Sequence, residues 1–230
     1  MEESERGEEE KLEIVKPPEK EWIPKTEIGR LVKEGKIRNI DEILARGIRI
    51  KEVEIVDTLL PNLEYDFLLI GQAKGKFGGG RRKIFRVTQR KTAEGSVSKF
   101  TCAAVVGNRD GYVGVGLGSG RESVIAREKA LRNAKLNIIK VKRGCGSWEC
   151  GCGREHSIPF KTEGKVGSVR VILKPAPRGL GLCIGEECKR ILELAGIKDV
   201  WSQTFGETRT RINLIFACFE ALKNLSRIKT

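Results

Sequence analysis

The chain has 230 residues, of which 39% are hydrophobic, and 44 Lys and Arg residues against 31 Asp and Glu residues give it a formal net charge of +13. This composition suits two small globular domains and excludes a membrane-spanning helix, because no stretch approaches roughly 20 consecutive apolar residues. The acidic first residues differ from a secretory signal peptide, so we expect a cytosolic protein.

The positive charge is concentrated in one segment. Residues 76–143 contain 17 basic and 4 acidic residues, whereas the rest of the chain contains 27 of each sign. A segment with such an excess is typical of a polyanion-binding protein, since each cation that neutralises a phosphate releases a counterion. The alternative is a basic surface that only aids solubility.

Two short helices are predicted to follow an acidic tail. Residues 1–21 hold many glutamates and few apolar groups, a composition typical of a disordered segment. The stretches WIPKTEIGRLVKEG and NIDEILARG then show helical patterns, and each is closed by a glycine, Gly35 or Gly47. Residues 22–75 therefore form a predicted helical extension, in which residues 50–70 are not assigned to any element.

A strand pattern replaces the helical one after GQAKGKFGGGRRK, a stretch with the glycine density of a mobile linker. KIFRVTQRK and SVSKFTCAAVV show strand periodicity, and GNRDG supplies the turn from the second of these into YVGVGLG. In that last strand Gly114, Gly116 and Gly118 leave one face as bare backbone, which predicts very close packing by another element. Contact of these glycines with a ligand is the alternative.

An alanine-rich helix is expected to pack against the glycines. Ser119 and Glu122 predict a capping box at its start, and its pattern ends at about Leu136. The side chains expected on its inner side are Val124, Ala126, Ala130, Leu131 and Ala134, with Lys129, Arg132 and Lys135 on another side. The strands and this helix predict one αβ domain over residues 76–143.

A second domain is predicted over residues 164–230. KVGSVRVILKPAP, GEECKRILELAG, DVWSQTF and RINLIFACFEALKNL alternate between strand and helix patterns and predict a two-layer βαβα unit. The fold class is therefore α+β. Neither a Rossmann G-x-G-x-x-G loop nor a Walker A loop is present in the sequence.

One glycine loop of the second domain resembles that of the small-molecule kinases of the galactokinase and homoserine kinase superfamily. The stretch is PAPRGLGLCIGEE, but Glu186 and Glu187 would repel a phosphate at the start of the following helix. A kinase is therefore kept only as an alternative.

The connector between the domains, residues 144–163, carries a candidate metal site. Three cysteines and the only histidine of the chain lie within 12 residues, in the order Cys145, Cys150, Cys152 and His156. Three thiolates and one imidazole suit tetrahedral zinc, although C-x4-C-x-C-x3-H is not a standard finger spacing. The alternative is a glycine-rich loop with incidental reduced cysteines. A catalytic deaminase zinc is not expected, because the glutamate of an H-x-E motif is missing.

The order of these motifs resembles a known family. The hairpin, glycine strand and alanine-rich helix, followed by HSIPF, VRVILKPAPRGLGL and ILELAGIKDVWSQTFGETRT, are similar to the universal fifth protein of the small ribosomal subunit in its archaeal or eukaryotic cytosolic branch. The resemblance covers about residues 50–228. It implies a double-stranded-RNA-binding-like αβ domain and a C-terminal domain whose fold is shared with the kinases named above.

The resemblance also implies a function. The chain should be a structural protein and not an enzyme, binding small-subunit rRNA near the neck and the mRNA entrance, beside the third and fourth small-subunit proteins, and supporting accurate decoding. A free RNA-binding regulator is the alternative. Because aromatic residues are few, binding should depend on charge and shape more than on base stacking.

The candidate RNA-binding residues are basic side chains of the first domain and its linker. The resemblance places Arg90, Lys91, Lys99 and Arg109 on an RNA-facing hairpin. The full candidate set is Arg81, Arg82, Lys83, Arg86, Arg90, Lys91, Lys99, Arg109, Arg121, Lys129, Arg132 and Lys135.

Overall fold

The computed structural model describes residues 22–72 and 82–227. The acidic tail, most of the glycine-rich linker with Arg81, and the last three residues lie outside the described residues, and so do the predictions made for them. The elements in chain order are α1 (Glu27–Lys33), α2 (Ile40–Ala45), α3 (Val53–Leu59), β1 (Glu64–Leu68), β2 (Arg86–Thr92), β3 (Gly95–Gly107), β4 (Tyr112–Gly120), α4 (Ser123–Leu136), β5 (Ile138–Lys140), β6 (Thr162–Val166), β7 (Val169–Pro175), β8 (Leu182–Cys183), α5 (Glu186–Leu194), β9 (Val200–Phe205) and α6 (Arg211–Arg227).

Three short helices precede the first sheet. The hydroxyl of Thr26 caps α1 by accepting a hydrogen bond from the backbone N–H of Gly29 at 3.1 Å. Gly35 and Gly47 follow α1 and α2 with φ angles of +73° and +67°, which confirms the predicted helix ends. The helix α3 falls in the segment that the sequence left unassigned. Val32 of α1 and buried isoleucines of α2, α3 and the connecting segments form a small core with Ile138 of β5.

The first sheet has five strands, in the order β1-β3-β4-β5 with β2 also paired to β3. β1 and β2 lie end to end along the same edge of β3, opposite residues 103–107 and 95–101 respectively. β1 belongs to the segment 22–75 that was predicted as helical, so this part of the extension is a strand of the sheet. Its sequence EYDFL is too short to show a clear period.

The glycine strand and the alanine-rich helix pack backbone to backbone. A Cβ added at Gly114 or Gly116 would overlap backbone atoms of Ala134, and one at Gly118 would overlap those of Ala130. Ala126, Ala130 and Ala134 of α4 are fully buried in this contact. The structure therefore confirms the packing role predicted for the glycines.

The start of α4 differs from the prediction. Ser119 lies in β4 opposite Thr101, because the β3–β4 ladder continues to Gly120 and keeps the chain extended. The helix begins only at Ser123, where Glu122 is the N-cap residue and makes no side-chain capping bond. The capping box is therefore wrong. Val124 was also expected on the inner side of the helix, but this first-turn residue is 57% exposed.

The second unit is a four-stranded sheet with two helices. Its strand order is β6-β7-β9-β8, with β8 parallel to β9. KVGSVRVILKPAP was predicted as one strand but forms most of the hairpin β6–β7, since Gly167 turns the chain with a φ angle of +61°. Gly164 of β6 lets α6 approach closely, and a Cβ there would overlap the backbone of Ala217 and Ala221. The α+β class is confirmed.

The two units share one hydrophobic core. Ala103, Val105, Val113 and Val115 of the first sheet are buried in the same cluster as Val171 and Leu173 of the second sheet. Val113, Val115 and Leu117 were predicted to share one face of β4, and all three face this core. Within residues 22–72 and 82–227, no helix has the length and apolar character to cross a membrane.

The close packing of β4 predicts a large cost for any side chain at its centre. We expect Gly116→Ala to lower the free energy of unfolding by about 3 kcal/mol, because the new methyl group has to displace the backbone of α4. Gly185→Ala is the control, since the nearest atom to a Cβ there is 3.9 Å away. Chemical denaturation of both variants measures the difference, and equal stabilities would contradict the packing described here.

Candidate nucleic-acid interface and metal centre

The β2–β3 hairpin projects beyond the rest of the first sheet. β4 pairs with β3 only from Phe100 to Gly107, whereas β2 pairs with β3 from Gly95 to Thr101. Residues 88–99 therefore form a two-stranded ribbon with no third strand beside it. All seven residues of β2 are exposed, so a burial requirement does not explain their side chains.

Three predicted cations share one face of the β2–β3 hairpin. Arg86 lies opposite Thr101, Lys99 opposite Thr88, and Arg90 opposite Val97, and directly opposed residues of an antiparallel pair point to the same side. Lys91 lies on the other face. Within the described part of the chain, none of these four cations forms an ion pair. The β2–β3 hairpin thus presents four positive charges that have no ion-pair partner among the described residues.

A second group of predicted cations lies on α4, on the opposite side of the sheet. Phe100 and Cys102 of β3 face α4, so Lys99 points away from the helix. Arg121, just before α4, and Lys129 and Arg132 on the helix are exposed. Lys135 instead forms an ion pair with Asp57 of α3 at 2.6 Å. The candidate residues therefore form two surfaces and not one.

Arg109 does not join the hairpin. It occupies the β3–β4 turn, at the other end of β3 from the ribbon tip, and its φ angle is +56°. Its guanidinium pairs with Glu64 at 2.7 Å, and its backbone N–H donates to the carbonyl of Leu194 at 2.8 Å. The residue thus contacts β1 and α5, far from the cations of the ribbon.

The remaining candidates precede β2. Arg82 and Lys83 connect the linker to the hairpin, and the carbonyl of Lys83 accepts a hydrogen bond from the N–H of Gly71 at 2.8 Å. Sequence reasoning missed Arg127 of α4, whose guanidinium lies 4.9 Å from the ring centre of Phe85 and 5.7 Å from that of Phe67. These rings are distant in sequence, so no local pattern predicts the contact.

The four candidate metal ligands converge. Their ligand atoms, three Sγ atoms and one imidazole nitrogen, all lie within 4.8 Å of one another. The Sγ atoms of Cys145 and Cys152 are 3.6 Å apart, and Cys150 Sγ is 3.7 Å from Nε2 of His156. A tetrahedral zinc ion with bonds of about 2.3 Å holds its ligand atoms about 3.8 Å apart. Two of the ligand-atom distances therefore match this separation closely, and all of them lie within about 1 Å of it or below it.

Backbone hydrogen bonds hold the connector in this shape. Gly144 and Ser157 exchange two hydrogen bonds of 2.9 Å, so the chain returns beside itself after the cysteine loop. The carbonyl of His156 accepts hydrogen bonds from the N–H groups of Lys198 and Asp199 at 2.9 and 3.1 Å. The ligand loop is thus attached directly to the second unit.

The cysteines of the cluster differ in acidity. Backbone N–H groups of Cys152 and Arg178 donate to the sulfur of Cys150 and lower the pKa of this thiol to about 6. Partial burial, together with hydrogen bonds to its two cysteine neighbours, raises the pKa of Cys145. Because thiolates are the metal-binding form, the fold already favours one ligand in its binding state.

A buried carboxylate that sequence reasoning missed lies behind the histidine. Asp199 is 4% exposed, and its Oδ2 lies 2.8 Å from Nδ1 of His156. Its Oδ1 accepts hydrogen bonds from the backbone N–H groups of Gly179 and Gly181, at 3.1 and 2.8 Å. Asp199 is 43 residues from His156, and no spacing rule connects them.

These contacts also decide the role of the glycine loop. In a kinase, backbone N–H groups of such a loop would bind phosphate, but here two of them already bind the carboxylate of Asp199. Glu187, in the first turn of α5, is buried and accepts a hydrogen bond from Arg211 at 3.4 Å. The geometry therefore opposes the kinase alternative.

A basic ribbon that has no ion-pair partner among the described residues, beside a packed αβ domain, is typical of a protein that binds a folded polyanion. The N-terminal domain of ribosomal protein S5 matches residues 83–142, and its C-terminal domain matches residues 164–230. The chain belongs to the ribosomal protein S5 family. This is a family of ribosomal proteins and not of enzymes, as the sequence analysis expected.

Relatives that share one name extend the match to most of the chain. The chain is 59% identical over 209 residues to small ribosomal subunit protein uS5 of Nanoarchaeum equitans, which covers 91% of this chain and 90% of that protein. It is 55% identical over 203 residues to the protein of the same name from Thermofilum pendens, and the match covers 88% of this chain and 93% of that protein. It is 53% identical over 210 residues to the protein of the same name from Methanocaldococcus jannaschii, and the match covers 91% of this chain and 90% of that protein. These relatives confirm the predicted resemblance to the archaeal or eukaryotic cytosolic branch and favour the archaeal type.

Proposed function

We propose that the chain is a structural constituent of the small ribosomal subunit and binds small-subunit rRNA. The observation that carries the proposal is the identity of 59% over 91% of the chain to a protein named for that subunit. In this proposal the protein works in the cytoplasm, near the neck and the mRNA entrance of the subunit. It lies beside the third and fourth small-subunit proteins and supports accurate decoding.

The projecting ribbon is the part of the fold that we assign to rRNA. Its cations have no ion-pair partners in the described chain, and residues 88–99 belong to none of the three hydrophobic clusters. Contacts to the phosphate backbone need such charges at fixed positions but need no base recognition. Arg121, Lys129 and Arg132 of α4 form a second RNA surface in this proposal, while Arg109 and Lys135 are held by Glu64 and Asp57.

The proposed domains follow from this division. Residues 1–21 are the acidic tail, and residues 22–75 the N-terminal extension. Residues 76–143 form the RNA-binding domain, residues 144–163 the connector, and residues 164–230 the C-terminal domain. β1 belongs to the extension in sequence but to the sheet of the RNA-binding domain in structure.

The ribosomal assignment is tested by sedimentation. We expect the tagged full-length chain, expressed in an archaeal host, to sediment with the small subunit in a sucrose gradient and to copurify with its rRNA. An excess of free protein bound to other RNAs would instead support the regulator. The gradient is repeated after ribonuclease treatment, which should release the protein from the subunit fractions if rRNA holds it there.

The ribbon assignment predicts a change in salt dependence. We expect Arg90→Ala combined with Lys91→Ala to lower the slope of log affinity against log salt by about two for an rRNA fragment, since each lost phosphate contact removes about one released counterion. The control is Lys161→Ala combined with Lys165→Ala, which removes the same charge from exposed positions at the end of the connector and in β6. Equal slopes for the two double variants would assign the effect to net charge and not to the ribbon.

We propose further that Cys145, Cys150, Cys152 and His156 bind one structural zinc ion. The support is the convergence of their ligand atoms within 4.8 Å in a set of three thiolates and one imidazole, which suits zinc. With four protein ligands, such an ion has no open position for a substrate. Its role would be to fix the connector between the two units.

Zinc binding predicts a defined stoichiometry. We expect about one zinc ion per purified full-length chain, and we expect Cys152→Ser to lower that content and expose the connector to proteases. Cys183→Ser is the control, because Cys183 is an exposed cysteine outside the cluster. Elemental analysis by mass spectrometry measures the content, and zinc-free native protein would end this proposal.

A further inference from the structure

We propose that Asp199 is the outer carboxylate of the metal centre and that it couples metal binding to the glycine loop 178–181. In this role Asp199 holds His156 in the tautomer whose Nε2 can bind zinc, and it is a positioning residue and not a ligand. The inference rests on the zinc proposal and extends it to a residue outside the cluster.

The hydrogen-bonding chemistry of the pair fixes the tautomer. An ionised carboxylate only accepts hydrogen bonds, so the contact of 2.8 Å requires Nδ1 of His156 to carry the proton. Nε2 then has a free lone pair, and it faces Cys150 Sγ at 3.7 Å, inside the ligand cluster. Carboxylates in this position orient metal-binding histidines and raise their basicity.

Asp199 is itself held on several sides. Besides the two glycine N–H groups on Oδ1, its backbone N–H donates to the carbonyl of His156 at 3.1 Å, and its carbonyl accepts from the hydroxyl of Ser157 at 2.6 Å. Both the carboxylate and the imidazole are buried. The carboxylate is therefore preorganised for the histidine and cannot turn away without breaking several hydrogen bonds.

The same contacts connect the loop to the cluster at two points. The backbone N–H of Arg178 donates to the sulfur of Cys150, and those of Gly179 and Gly181 donate to Asp199. A metal ion that fixes Cys150 and His156 therefore also fixes the hydrogen-bond acceptors of this loop. Loss of the ion should loosen residues 178–181 although none of them is a ligand.

Asp199→Asn separates the two roles of the carboxylate, which are to bind the N–H groups of the glycine loop and to accept the proton of His156 Nδ1. The amide oxygen can still accept from Gly179 and Gly181, but the amide nitrogen would face Nδ1 of His156 as a donor. The imidazole then has to accept at Nδ1 and carry its proton on Nε2, where the proton blocks the metal. We expect zinc affinity to fall by about 10- to 100-fold while the fold is retained.

The experiment uses the full-length chain labelled with ¹⁵N in histidine and glycine. Because the chain has one histidine, the imidazole nitrogen shifts report His156 without assignment. We expect the Nδ1–H form in the wild type, with and without zinc, and the Nε2–H form in metal-free Asp199→Asn. Zinc affinity is measured by competition with a chelator, and Asp66→Asn, which alters an exposed carboxylate paired with Arg190, should bind zinc like the wild type.

Amide hydrogen exchange tests the coupling to the loop. We expect zinc to slow exchange at Gly179 and Gly181 by at least about tenfold in the wild type, because their acceptor becomes fixed. Unchanged exchange on zinc addition would overturn the coupling, and equal zinc affinity in Asp199→Asn and wild type would overturn the positioning role. A wild-type His156 in the Nε2–H form would also overturn the positioning role, and this result does not depend on whether the variant folds. A wild type that binds no zinc would remove the zinc proposal itself, and with it this inference.

Discussion

The backbone contact between β4 and α4 is the constraint on which the rest of the structure depends. Because Gly114, Gly116 and Gly118 bring the helix onto the strand without side chains between them, the helix-facing side of β4 contributes almost no apolar volume. The opposite side of the strand carries Val113 and Val115 instead, and these pack into the core shared with the second unit. One face of the sheet therefore packs against α4, and the other face packs against the second unit. The polar side of α4 stays exposed.

The joint between the units is made of backbone as well as side chains. The N–H groups of Arg109 and Gly111 donate to the carbonyls of Leu194 and Ala195 at the end of α5, and the connector is hydrogen-bonded to the residues before β9. A two-stranded ribbon has little stability of its own, so its orientation depends on the sheet from which it extends. Since that sheet is fixed by a continuous core, the ribbon cations are presented at set positions, as phosphate contacts require.

Local patterns predicted most of the elements and failed where distant contacts decide. The periodicity of β3 and β4, the closing glycines and the clustering of the four candidate ligands could all be predicted, because each depends on neighbours in sequence. Ser119 shows the limit: its pattern fits a capping box, but pairing with Thr101 keeps it in the sheet. Asp199 shows this limit more strongly, because its contact with His156 joins residues 43 apart and no local sequence pattern predicts it.

The glycine loop shows how one backbone shape can support different chemistry. Its N–H groups converge on a negatively charged oxygen in either case, but the oxygen belongs to a phosphate in a kinase and to Asp199 in this chain. Because an internal carboxylate accepts hydrogen bonds from these donors, they are not available to an external anion. The loop is instead hydrogen-bonded to Asp199, the carboxylate that contacts His156. The same geometry that could hold a ligand therefore serves here to connect a loop, a histidine and the strand β9 that follows Asp199.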